Sequence, residues 1–229
     1  MYTPLPTLAG ASAIAFMLST VSAAAQDWSG AYYGGILGYG TGSYDQGVPA
    51  FDEDGPTVDV GGLLYGVHAG INFQSGNLVY GVDAGFSTGP DGSTPSALGE
   101  VDGPTWQCVS GDCYVAINYV GTLRGRVGLV TDIRTVIYGA AGLAVADVDG
   151  GIGNSIQEGS STASGVTYAI GAERITSPYS TVFAEVGYYD LGTLAFGTNE
   201  GTDPPPATVE NYSADGSFIA ITAGVNFKF

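Results

Sequence analysis

Large apolar side chains recur at every second position in this chain, in eight separate runs, and the 3.6-residue period of a helix never appears after Gln26. Alternation puts the side chains of an extended strand on two opposite faces, so it confines the chain to β-structure with one apolar face. The first run, A-Y-Y-G-G-I-L-G-Y, sets Ala31, Tyr33, Gly35, Leu37 and Tyr39 against Tyr32, Gly34, Ile36 and Gly38. In the second, Leu63, Tyr65, Val67, Ala69, Ile71 and Phe73 alternate with Gly62, Leu64, Gly66, His68, Gly70 and Asn72. The third places Leu78, Tyr80, Val82, Ala84 and Phe86 opposite Val79, Gly81, Asp83, Gly85 and Ser87. The fourth sets Ile117, Tyr119, Leu123, Val127 and Leu129 against Asn118, Thr122, Arg124 and Arg126. A fifth, Val136 to Ala146, is small and apolar on both faces, which leaves its facing open. The sixth alternates Val166, Tyr168, Ile170 and Ala172 with Thr167, Ala169, Gly171 and Glu173. The seventh alternates Val182, Ala184, Val186 and Tyr188 with Phe183, Glu185, Gly187 and Tyr189. The eighth sets Ile219, Ile221, Ala223, Val225, Phe227 and Phe229 against Ala220, Thr222, Gly224, Asn226 and Lys228.

Short and long gaps separate these runs in strict alternation. The short ones lie at Gln74-Ser75-Gly76-Asn77, around Thr131-Asp132 and at Ser177-Pro178. The long ones are Thr41 to Val60, Thr88 to Val115, Asp147 to Ala163 and Leu191 to Gly216. An even number of strands of roughly ten residues, joined this way, predicts an all-β fold. It is an eight-stranded antiparallel transmembrane β-barrel, an up-and-down meander with four long extracellular loops. The competing architecture is a soluble barrel or sandwich, and the faces decide between them. A soluble barrel keeps its apolar side inward and needs a charged exterior. Here the polar face is mostly Gly, Ala, Thr and Asn, a poor surface for water, whereas Tyr, Leu, Val and Ile suit lipid. Turning the apolar face outward resolves both facts.

Charge follows the same division. The chain carries 22 acids and 5 bases, a formal net charge of -17, so it has no basic footprint for nucleic acid. Five acids (Asp27, Asp83, Asp132, Glu173 and Glu185) and all five bases (Arg124, Arg126, Arg134, Arg174 and Lys228) lie on strands or short turns. The whole net charge therefore belongs to the long gaps and their edges. At the N-terminus, Leu8 to Ser22 is too short and weak for a spanning helix, and it ends in Ala23-Ala24-Ala25. Residues 1–25 are expected to be a cleaved signal peptide and 26–229 the barrel, although no Lys or Arg precedes the apolar run. Export makes Cys108 and Cys113, which enclose V-S-G-D, a loop disulfide. No Cys/His cluster completes a zinc site, and His68 is the only histidine.

The chain resembles the opacity-type, or porin-family, outer-membrane β-barrel surface proteins. The resemblance lies in D-W-S-G-A-Y-Y-G-G at 27–35, Y-G-V-H-A-G-I-N-F-Q-S-G-N-L-V-Y-G-V-D-A at 65–84 and Y-V-G-T-L-R-G-R-V-G-L at 119–129. It continues in A-E-V-G-Y-Y-D-L-G at 184–192 and in the ending A-G-V-N-F-K-F. Related members usually carry Glu where this chain has Asp83, which keeps the charge. The resemblance implies a location in the outer membrane of a Gram-negative bacterium and a role as surface antigen or envelope-structure protein, but little about activity. It also implies partners: membrane lipids and lipopolysaccharide around the wall, and barrel-assembly machinery. That machinery reads an alternating last strand closed by an aromatic, here Phe229.

Chemistry could reside in one cluster. Arg124 and Arg126, two apart, face inward together, as do Asp83, Glu173 and Glu185. The expected reading is an ion-pair network filling a lumen only wide enough for side chains; the alternative is a narrow passive pore for ions or small solutes. The runs Asp52-Glu53-Asp54-Gly55 and Asp147-Val148-Asp149-Gly150 lack the further ligands of a calcium loop; a looser bridging of divalent ions to lipopolysaccharide remains open. Barrel lipid deacylases use a His–Ser pair facing lipid, whereas His68 falls on the lumen face between Gly66 and Gly70. No G-x-x-x-x-G-K-S/T phosphate loop occurs either. The expectation is a non-enzymatic surface barrel with no cofactor, contributing to envelope structure or surface contact.

Overall fold

The computed structural model describes residues 27–48, 53–94, 112–152, 158–196 and 212–229. Within them the chain forms β1 (Gly30–Val48), β2 (Glu53–Ser75), β3 (Leu78–Thr88), β4 (Asp91–Thr94) and β5 (Cys113–Asp132). These are followed by β6 (Thr135–Ile152), β7 (Glu158–Ser177), β8 (Ser180–Phe196) and β9 (Tyr212–Lys228). All pairings are antiparallel, and β9 returns to pair with β1. β3 and β4 are two lengths of one stave, because both pair with β5. The ring β1-β2-β3-β5-β6-β7-β8-β9 thus closes on itself as an eight-staved antiparallel barrel, the architecture the alternation predicts.

Two-residue turns at Gly76-Asn77, Ile133-Arg134 and Pro178-Tyr179 make one rim. Gly76 sits at φ +61°, a left-handed conformation that glycine adopts without strain. In the next turn Asp132 Oδ1 accepts the Arg134 N–H at 2.7 Å, and this bond, with help from Thr135, holds its carboxyl below the usual range.

The barrel is inside-out over its middle. Val67, Val82 and Ile221 point outward and are 62%, 51% and 65% exposed, among a belt that also includes Leu37, Leu123, Val127 and Ile170. Aromatic rings border this belt on both sides. Toward the short turns lie Tyr33, Phe73, Tyr80 and Phe227, with Phe73–Tyr80 and Tyr33–Phe227 centroids each 5.7 Å apart. Toward the other rim lie Tyr39, Tyr65, Tyr168 and Tyr188, with Phe86 stacked on Tyr119 at 5.4 Å. Tyr65 and Phe73 are eight residues apart, about 26 Å along a strand and enough to cross the hydrocarbon with tilt.

Two expectations need correction, and a facing left open is answered. The long gaps are in large part strand: β1 and β2 leave only 49–52 between them, β6 and β7 only 153–157, and β4 lies within the second gap. Alternation persists beyond the belt but changes sense. Tyr44, Val58, Val60, Val148, Leu194 and Phe196 are buried inward, while Ser43, Asp45, Thr57, Asp59, Asp147 and Asp215 are exposed outward. Where the surroundings become water the wall reverts to the pattern of a soluble barrel, so a search for an apolar outer face loses the strand there. Second, Ile117 does not share a face with Tyr119. The register shifts between them, Asn118 bulges, and Ile117 turns inward to 2% exposure. The facing left open on β6 is now fixed: Val136, Tyr138, Ala140, Ala144 and Ala146 are buried within, and Ile137, Leu143 and Val145 face out. Residues 1–25 and Cys108 lie outside the described residues.

Candidate functional site

The lumen is filled in layers. Nearest the short turns, Trp28 is buried with Val79, Val136, Tyr138 and Ile175. Its backbone N–H donates to Gln74 Oε1 at 2.7 Å, and the Gln74 backbone N–H donates to Ser29 Oγ at 3.0 Å, so the segment before β1 is tied to neighbouring β2.

Above it sits the charged layer, where the five inward charges expected from the sequence meet. Asp83 lies directly opposite Arg124 in the β3–β5 register. Arg124 donates through Nε to Asp83 Oδ1 at 2.9 Å and through a terminal nitrogen to Glu185 Oε1 at 2.6 Å. Arg126 donates to Glu173 Oε2 at 2.7 Å. The alternation also places, without flagging them, the neutral groups that complete this layer. Tyr138 Oη donates to Glu185 Oε2 at 2.9 Å, Asn226 Nδ2 and Thr181 Oγ1 donate to Glu173 Oε1, and Arg126 reaches Tyr32 Oη at 3.3 Å. The Arg126 guanidinium also lies 4.0 Å from the Tyr138 ring centroid. Tyr32, Thr181 and Asn226 stand on inward parity, which is the signal that could have found them. Tyr138 was hidden by the two-sided apolarity of β6. These rings fit because inward glycines lack Cβ: an added one at Gly70 or Gly171 would lie 2.6 Å from the hydroxyl of Tyr32 or Tyr138.

Over the ion pairs is a cavity of about 30 Å³, room for about one or two waters, lined by His68, Thr122, Arg124, Phe183, Glu185 and Tyr189 among others. His68 packs between Tyr32, edge-on at 5.8 Å, and Phe183 at 5.1 Å. The top layer is apolar: Tyr44, Ile117, Leu191, Leu194, Phe196 and Phe218 are all fully buried, and Tyr189 stacks on Phe218 at 4.6 Å. Cys113, at the start of β5, is buried and disulfide-bonded. Phe229 stands apart from the lumen. It is 83% exposed on the outer wall, 6.1 Å from the Tyr33 ring, with its N–H on Ala31 O at 3.3 Å.

Among the described residues, this arrangement pairs buried charge across the lumen. Known proteins agree with the fold. The model of the outer membrane protein beta-barrel domain matches residues 11–229. The 31 kDa outer-membrane immunogenic protein of Brucella melitensis biotype 1 is 29% identical over 215 residues, covering 88% of this chain and 84% of that protein. Its counterpart in Brucella suis biovar 1 gives the same values. The outer membrane protein OprG of Pseudomonas aeruginosa superposes with a TM-score of 0.52 at 13% identity, over 90% of this chain and 99% of that one, which shows the fold alone. With a closed antiparallel ring, a lipid-facing belt and a match over nearly its whole length, the chain belongs to the outer membrane protein β-barrel family and resides in the outer membrane.

Proposed function

We propose that this protein is a non-enzymatic surface barrel that works through its exterior, contributing to envelope structure or surface contact, with its lumen sealed. The observation that carries this reading is the layered lumen packing among the described residues: Trp28, the ion pairs, and the apolar layer from Ile117 to Phe218. A charged layer stabilises a barrel this narrow only when its groups are paired, and here each guanidinium meets a carboxylate. His68, wedged between two rings, has the surroundings of a packed lumen residue rather than an exposed base. The acidic groups carried outward above the belt, such as Asp45, Asp59 and Asp147, make the external face strongly anionic. Its proposed neighbours are lipopolysaccharide, approached through divalent ions, and the barrel-assembly machinery at Phe229. The Brucella relative's name as an immunogenic outer-membrane protein fits a chain displayed at the cell surface.

Planar-bilayer recording of the refolded protein tests the sealed lumen. The expected result is no steady unitary current. A reproducible conductance whose ion selectivity changes with Arg126→Ala would establish the narrow-pore reading instead.

A further inference from the structure

The wall is not laced evenly. β2 pairs with β3 from Gly66 to Ser75, but beyond Gly66 its edge faces β4, which pairs with β5 alone. The interruption falls at Gly89-Pro90, where both residues turn their backbone groups to β5. The same two residues still hold β5, since the Gly89 N–H donates to Ile117 O at 3.1 Å and the Ile117 N–H donates to Pro90 O at 3.0 Å. Toward β2, threonine hydroxyls stand in for backbone. Thr88 Oγ1 accepts from the Tyr65 N–H at 3.1 Å and donates to Leu63 O at 3.4 Å, and Thr94 Oγ1 donates to Thr57 O at 3.1 Å.

The height of this seam explains why it can exist. Tyr65 and Phe86 belong to the outer aromatic ring, so Thr88 closes the last position of the membrane belt, where unsatisfied backbone is costly. Above it, Asp59 and Asp91 point into water, which can solvate an open edge. Behind it, Leu64, Pro90 and Phe218 converge over Gly40, and Leu64 and Phe218 are buried in the apolar top layer.

We infer that Gly89–Thr94 is a flap in the barrel wall, which parts from β2 above Thr88 while remaining paired with β5. Opening exposes the apolar top layer sideways at the outer membrane surface. It does not breach the barrier, because the ion pairs and Trp28 lie below. A segment with no backbone ladder to one neighbour opens at lower free energy than the doubly laced wall around it.

Thiol accessibility in the full-length folded protein tests this. Leu64→Cys on β2 and Ala144→Cys on β6 both place a thiol in the buried top layer, one behind the flap and one two staves away from it. Leu64→Cys should react with a maleimide at least about tenfold faster, as expected of a local opening confined to one seam. Equal rates, whether both slow or both fast, would overturn the flap. Amide exchange of the unmutated protein reads the same seam should Leu64→Cys not fold. Thr57, Asp59, Gly61 and Leu63 share the parity of the groups aimed at β4 and should exchange faster than Val58, Val60, Gly62 and Leu64. Equal protection of the two sets would reject the proposal.

Discussion

Arg126 illustrates how much a single lumen side chain carries. Its guanidinium meets Glu173, Tyr32 and the Tyr138 face in a site where it is nearly fully buried. Removing it leaves Glu173 with only Thr181 and Asn226 as donors, a buried charge without a counterion. Arg126→Ala is therefore expected to lower stability by about 3–5 kcal/mol, the usual result of breaking one side of a buried pair. Arg126→Met combined with Glu173→Gln should recover most of that loss, because a neutral pair of similar volume leaves no charge stranded. Urea titrations in detergent micelles would measure both. A near-neutral Arg126→Ala would mean that water already solvates the site, which contradicts a packed layer. The five charges were legible in the sequence because parity alone turns them inward. Their pairing was not, since it depends on which staves face each other across the lumen: Arg124 reaches Glu185 from a strand not adjacent to its own.

Each strand is a record of three surroundings. Along β2, Thr57 and Asp59 face water, Leu63 to Phe73 face lipid on the same parity, and the opposite parity runs from Val58 and Val60 to His68 and Asn72. The period of two is constant; what changes is the medium outside and the packing inside. A lysine at Val67, Val82 or Ile221 should therefore cost roughly 2–4 kcal/mol if near the midplane. A lysine at Thr122 should be milder, because it enters the cavity beside Glu185 in a layer with three carboxylates and two guanidiniums. Unfolding in lipid vesicles compares the two faces, and equal penalties would reject the inside-out wall. The strand ends were misread as loops for the same reason. A rule tuned to lipid on one face stops at the membrane surface, although backbone pairing continues well past it. Ile117 was misfaced because a bulge is one extra residue that leaves the composition of the run unchanged.

The whole molecule must also be assembled, and its last strand bears on that. Ile219, Ile221, Val225, Phe227 and Phe229 form an exposed outward row, and Phe229 touches little beyond Tyr33. Such a residue contributes modestly to the finished barrel, as an interfacial aromatic. Deleting Phe229 is expected to leave refolding in detergent nearly unchanged while unassembled chains accumulate in the periplasm. Cell fractionation measures this, and normal outer-membrane levels of the truncated protein would refute a recognition role. The sequence by itself determined that the chain is β, that it has eight staves, which face meets lipid on most of them, and which charges turn inward. It could do so because each of these is a matter of period or parity, properties of neighbours along the chain. Only the tertiary structure decided that the strands outrun the membrane, that Trp28 and the Tyr44–Phe218 layer pack inside the lumen, that β6 turns Tyr138 inward, and that the wall is interrupted beside Pro90. Those features depend on which residues meet across the barrel. Ring closure sets those meetings, and no local pattern encodes them.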